Sequence, residues 1–178
     1  MRIVGGIHRG RHFSPGKSFK ARPTTDMAKE SLFNILFNQV DFEAIKVLDL
    51  FAGTGSISFE FISRGCTQIT AVELNFQYVQ FIKSVIEKLG AENEMQVIKG
   101  DAFKYCEKTT EQFDLIFADP PYDHKQFADV PKLVLNGDIL KTGGLFILEH
   151  SKYYDFSNYP EFLEIRNYGS VHFSFFKK

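Results

Sequence analysis

Asp119-Pro120-Pro121-Tyr122 is the stretch of this 178-residue chain whose residue types are most suited to chemistry. Two consecutive prolines fix φ at both positions and remove two backbone donors. What is left is a stiff corner that shows carbonyl oxygens, one carboxylate and one aromatic ring. Such a corner suits a planar amine, with acceptors for its N–H groups and a ring face for stacking, worth about 1–3 kcal/mol per base in comparable settings. Pro-Pro also ends strands at ordinary surface turns, and the four residues alone do not separate the two readings.

Other polar residues fall at positions that would serve the same ligand. Gly53 and Gly55 stand in the tight turn of residues 52–56, where glycine lets a backbone approach a ligand closely. Glu73 follows Gly53 by 73 − 53 = 20 residues, the place from which a carboxylate binds both ribose hydroxyls of a nucleoside. Asp101 stands after the next strand and is placed to accept from an adenine amine. Asp49, just before the glycine turn, is poor company for a pyrophosphate and better company for an ammonium or sulfonium; its other reading is a buried carboxylate satisfied by the protein itself.

The elements that must hold these residues are legible in the periodicity. Residues 47–51, 69–72, 95–98, 113–118 and 144–148 are apolar runs of strand length, the pattern of a buried parallel sheet. Helical spacing separates the first three, to about Arg64 after the first and over Phe76, Val79, Ile82, Ile86 and Leu89 after the second. Residues 126–141 read as mostly helical, broken at Pro131 and Gly137. Residues 162–168 and 171–176 alternate as two more strands, joined across Gly169-Ser170 at hairpin spacing. Parallel βαβ units that end in an antiparallel hairpin make a three-layer, Rossmann-like α/β sheet. In such sheets ligands bind beyond the carboxyl ends of the strands, where Glu73, Asp101 and Asp119 all stand.

The amino-terminal segment has a different character. Ile3, Val4, Ile7 and Phe13 between glycines predict a short bent hairpin with Arg9 and Arg11 near its turn. A loop with Lys17 follows. Pro23-Thr24-Thr25-Asp26 then opens a helix, with Arg22 and Thr24 at its N-terminus, a place that attracts anions or serves capping alone. Residues 1–29 hold seven Lys and Arg against Asp26, so 7 − 1 = +6, and the remainder carries −1 − 6 = −7. A basic arm on an acidic body predicts a polyanion contact confined to one face. The expected organisation is an arm over residues 1–41 and a catalytic unit over residues 42–178.

Composition narrows the classes. The chain is 44% hydrophobic with 20 phenylalanines, enough for a sizeable core, and no apolar run reaches the ~20 residues of a membrane span. Two cysteines without zinc spacing fit reduced thiols, so a cytoplasmic protein without a bound metal is expected. The third glycine of the dinucleotide fingerprint is missing, with Ser58 in its place, and this together with Asp49 favours S-adenosylmethionine (SAM) over a dinucleotide.

Residues 47–55, Glu73, Asp101 and the Asp119 corner resemble class I SAM-dependent methyltransferases that act on exocyclic amines. Arg2-Ile3-Val4-Gly5-Gly6, Arg9-Gly10-Arg11, Arg22-Pro23-Thr24-Thr25-Asp26, Glu30-Ser31-Leu32-Phe33-Asn34 and Arg166-Asn167-Tyr168-Gly169 narrow the resemblance to the RsmD family of bacterial 16S rRNA guanine-N2 methyltransferases. It covers nearly the whole chain. Met27 and Lys29 stand where that family usually has arginines, which weakens the local charge. The resemblance implies a seven-stranded sheet with its last strand antiparallel. It implies SAM at the Gly53–Gly55 turn beside Asp49 and Phe51, its ribose on Glu73 and its adenine near Asp101 and Ala102. Asp119, Pro120 and Tyr122 would carry the chemistry, and Arg9, Arg11, Lys17, Arg22 and Thr24 would meet RNA. The partner would be 16S rRNA in a small ribosomal subunit or its assembly intermediate, met by a monomer. The competing functions are methylation of adenine N6 in DNA or another RNA, a catalytically silent RNA-binding module, and a nicotinamide oxidoreductase.

Overall fold

The computed structural model describes residues 1–16 and 24–178; Lys17 and Arg22 lie outside the described residues. Seven strands form one sheet: β1 (Lys46–Leu50), β2 (Gln68–Glu73), β3 (Met95–Lys99), β4 (Phe113–Ala118), β5 (Leu140–His150), β6 (Phe162–Tyr168) and β7 (Val171–Lys177). Their order is β3-β2-β1-β4-β5-β7-β6. β1 to β5 are parallel, and β7 runs antiparallel between β5 and β6. The strand order reverses beside β1, where β4 lies opposite β2, and an open sheet forms its ligand crevice at such a point.

Alternation along each strand sends side chains to two cores. Val47, Ala71, Leu115, Phe117, Ile147 and Phe173 pack toward α1 (Asp26–Leu36), α2 (Ser56–Ser63) and α3 (Phe76–Leu89). Leu48, Leu50, Val72, Ile116, Ala118 and Phe146 pack on the other face with α4 (Ala102–Lys108) and α5 (Val130–Leu135). The three-layer architecture read from periodicity is therefore the one observed, with the antiparallel strand near the end of the chain.

Two local expectations are corrected. Residues 126–141 are not one broken helix. A 3-10 turn over Phe127–Asp129 leads into α5, where Pro131 occupies the first turn and costs no hydrogen bond, and β5 already begins at Leu140. The strand expected from Gly144 thus starts four residues earlier, and the β4–β5 register shifts there, between the pairs Phe113–Leu140 and Leu115–Leu145. Helix α4 was not anticipated. It has seven residues, too few for a clear apolar period, and Asp101 caps it by accepting the Lys104 N–H at 3.0 Å.

The amino-terminal hairpin forms as expected, with a bridge between Arg2 and His12 and the Ile3 N–H donated to the Arg11 carbonyl at 3.0 Å. Ile3 and Phe13 are buried in the core that faces α1. The Val4 N–H bonds Glu60 and the His8 N–H bonds Ser63, so α2 anchors the turn. Lys29, counted in the basic arm, is 1% exposed; it ion-pairs with the buried Glu60 at 3.3 Å and donates to the Arg2 carbonyl. Its charge fastens the hairpin to α2 and is not presented outward. Arg9 sits in the turn itself, with its N–H on the Gly6 carbonyl.

Candidate active site and cofactor cleft

A cavity of about 620 Å³ opens at the carboxyl ends of β1, β2, β4 and β5. The register explains which side chains reach it. Asp49 pairs with Ala71 and with Phe117, and Phe117 pairs with Ile147. Two residues further on stand Glu73, Asp119 and Glu149. All four acids thus fall on the face of the sheet that carries α1, α2 and α3, and Glu73, Asp119 and Glu149 line the cavity.

One half of the cleft offers acceptors and apolar walls that fit a nucleoside. Glu73 accepts the Gly53 N–H at 2.8 Å on one oxygen and the Asn75 N–H at 2.6 Å on the other. Burial raises its pKa, and these backbone donors oppose the rise by stabilising the ionised form. Each oxygen keeps acceptor capacity for a hydroxyl. Asp101 and Ala102 form the adjoining wall with Phe51 and His124. His124 stacks on Phe103 with ring centroids 5.2 Å apart. Phe51 is the single non-glycine residue with positive φ among the described residues, at +62°, a strained conformation of the sort found at ligand clamps.

The two glycines divide the work that one turn was expected to share. Gly53 lines the cavity, and a side chain there would meet almost nothing, so its φ of +54° is what the turn requires. Gly55 does not line the cavity. A Cβ at Gly55 would fall 2.9 Å from the Phe59 ring and 3.1 Å from Ile82, so this glycine lets α2 pack against α3.

Behind the turn lies a smaller recess of about 50 Å³, lined by Asp49, Thr54, Ser56, Asp119 and Thr24 among others. Asp49 is fully buried, accepts the Ser58 hydroxyl at 2.5 Å, and has its pKa pushed up to about 7, chiefly by loss of water. Ser58, which broke the dinucleotide fingerprint, is therefore the partner that a buried carboxylate requires. The Ser56 hydroxyl, also buried, has no hydrogen-bond partner among the described residues. A carboxylate and a free hydroxyl beside a glycine turn fit the amino-acid end of SAM, as Glu73 and the Asp101 wall fit its nucleoside end.

The other half of the cleft is the Asp119 corner. The Asp119 N–H reaches the Leu50 carbonyl at 3.4 Å, which ties the corner to β1. Loss of water raises the Asp119 pKa well above the usual range, and the charges of Glu149 and Asp49 raise it further. Glu149, the residue after Leu148 in β5, is 4% exposed and accepts the Thr24 hydroxyl at 3.1 Å and the Tyr122 hydroxyl. Tyr122 is 43% exposed, with its ring edge-on to Phe127 and its backbone carbonyl accepting from Tyr154. Thr25, not Thr24, caps α1, accepting the Ala28 N–H at 3.2 Å. Thr24 faces the corner and donates to Glu149.

Residues 1–177 match the family model described as Conserved hypothetical protein 95, the RsmD family. The chain belongs to that family. RsmD relatives include the ribosomal RNA small subunit methyltransferase D of Escherichia coli, 34% identical over 84% of this chain and 74% of the relative. The Haemophilus influenzae protein of the same name is 32% identical over 85% of this chain and 79% of the relative. The solved structure of a Thermus thermophilus hypothetical protein superposes with a TM-score of 0.87 at 26% identity, covering 100% of this chain and 99% of that one. Within this RsmD-family chain, the residue that sequence reasoning missed is Glu149. The signal was present, since Glu149 directly follows an apolar run read as a strand, as Glu73 and Asp119 do.

Proposed function

We propose that this RsmD-family chain transfers a methyl group from SAM to the exocyclic N2 amine of a guanine in 16S rRNA of the small ribosomal subunit or its assembly intermediate. The observation that carries the reading is a single cavity with Glu73 and Asp101 at one end and Asp119 to Tyr122 at the other. The relatives named ribosomal RNA small subunit methyltransferase D support the substrate class. Acceptor side chains at the corner support an amine donor.

SAM supplies an electrophilic methyl carbon, and as the amine nitrogen bonds to it the carbon–sulfur bond breaks with its electron pair left on sulfur. Glu73 holds the ribose hydroxyls, Asp101 and Ala102 the adenine, and Asp49 with Ser56 the amino-acid end. A guanine amine is a weak nucleophile because its lone pair is delocalised into the ring. Asp119 and the Pro120 carbonyl accept its two N–H bonds and aim the lone pair, an orientation effect. The ionised form of Asp119 then takes the proton that the cationic nitrogen must lose, and its raised pKa makes that carboxylate a stronger base. Tyr122 covers the base, which must leave its stack to enter the corner. Arg9 and Arg11, exposed at the hairpin, supply phosphate contacts together with Lys17 and Arg22.

Asp119→Ala tests this assignment. Methyl transfer falls by at least ~100-fold while SAM affinity stays within a small factor of the parent. Near-parental transfer by that variant overturns the role given to Asp119.

A further inference from the structure

We propose that Glu149 reads the target base, accepting the N1–H of guanine while Asp119 beside it accepts the N2 amine. This deepens the guanine reading and rests on it. Three observations point to Glu149. It is nearly fully buried, yet it lines the cavity and not a sealed core. It stands one strand over from Asp119, since Ala118 pairs with Leu148 and each acid follows its pair. Its partners are two hydroxyls, from Thr24 and Tyr122, and no cation is paired with it among the described residues.

A carboxylate has about four acceptor positions, so two hydroxyl donors leave capacity facing the cavity. When both are ionised, Glu149 and Asp119 together present an edge made of acceptors only, a form that gains population as pH rises because burial raises the pKa of each, that of Glu149 to about 7. Guanine shows two adjacent donors along its Watson–Crick edge, N1–H and the N2 amine, and matches it. Adenine shows a lone pair at N1 next to its amine, which would face the Glu149 carboxylate and leave it unpaired. A buried polar group left unpaired is the strongest way a site rejects a near-isostere. The Asp119 corner alone offers no such choice, because both bases carry an exocyclic amine. Thr24 and Tyr122 fix where the Glu149 carboxylate points, so the amino-terminal segment contributes to the choice of base.

The test uses the full chain and small subunits reconstituted with either guanine or 2-aminopurine at the position the parent protein methylates. 2-Aminopurine keeps the N2 amine but carries a lone pair at N1. The parent protein prefers guanine by on the order of 100-fold in kcat/KM. Glu149→Gln keeps the shape, retains an oxygen for the Thr24 hydroxyl, and turns an N–H toward N1. It lowers transfer to guanine and raises the 2-aminopurine to guanine ratio by at least ~10-fold. The ratio is read on one preparation of one variant, so it does not depend on the fraction folded, and SAM binding confirms the folded state. An unchanged ratio in Glu149→Gln overturns the proposal, and so does equal loss of both substrates with SAM still bound. If the variant does not bind SAM, the parent protein decides, since equal use of guanine and 2-aminopurine overturns the proposal by itself. Failure of the parent to methylate guanine N2 at all is a different result and refutes the proposed function instead.

Discussion

The Thr24 hydroxyl donates to Glu149 Oε2 at 3.1 Å, joining the residue before α1 to the end of β5 across 125 positions of sequence. Through this bond the amino-terminal segment and the methyltransferase sheet share one pocket wall. Thr24→Val keeps the shape and removes the donor. A hydrogen bond to a charged group is worth about 1.5–3 kcal/mol, so kcat/KM for the RNA substrate should fall roughly 10- to 100-fold. SAM affinity, measured by calorimetry, should fall far less than kcat/KM, because the Thr24 hydroxyl bonds Glu149 and Thr24 only borders the recess beside Asp49 and Ser56. Unchanged transfer kinetics, or a loss of SAM affinity as large as the loss in kcat/KM, would contradict this division of the cleft.

Asp49 ties pH to stability. Its folded pKa of about 7 lies above the ordinary value of 3.8. The folded state therefore holds a proton that the unfolded state gives up, and the linked stability is fully present below 3.8 and lost as pH rises through about 7. Asp49→Asn is neutral throughout and retains an acceptor for the Ser58 hydroxyl. Denaturant unfolding of the ligand-free protein at pH 5 and pH 8 should show the parent losing more stability than the variant, by on the order of 2 kcal/mol. Parallel losses would mean that Asp49 is ionised in the folded state at both values.

If the basic arm meets the RNA, it sets the salt dependence of binding. Lys29 is buried on Glu60 and Arg2 is paired with Asp26 at 2.7 Å, so neither is counted as a phosphate contact. If Arg9, Arg11, Lys17 and Arg22 each meet one phosphate, log K against log salt has a slope of roughly −3, at ~0.7 per contact on single strands. Replacing both Arg9 and Arg11 by alanine should flatten the slope by roughly 1.4. Arg11 also donates to the Lys88 carbonyl at 2.8 Å and lies over the Phe13 ring, which holds its guanidinium at the hairpin edge. A slope that does not change in the double variant would move the RNA contact off the hairpin.

The residues legible in sequence were those that obey one local rule. Glu73, Asp101 and Asp119 were found because each follows an apolar run, and strand ends are where an open sheet binds ligands. Glu149 obeys the same rule but was passed over, because the run before it was read only as a structural strand. Ser58 and Lys29 were illegible for a different reason. Ser58 looked like a defect in a glycine motif, and only the fold brings its hydroxyl to 2.5 Å from the Asp49 carboxylate. Lys29 was counted with the basic arm because its acidic partner, Glu60, lies on another helix. Long-range polar pairing leaves no periodic trace, whereas apolar alternation does, which is why the layers were predictable and these pairs were not.

The most direct test is methyl transfer from labelled SAM to small subunits that lack their native methylations, with naked 16S rRNA beside them. Digestion to nucleosides should place the label in N2-methylguanosine, and on the subunits in preference to the naked RNA. Label in N6-methyladenosine, or no transfer to either substrate by protein that binds SAM, would contradict the account.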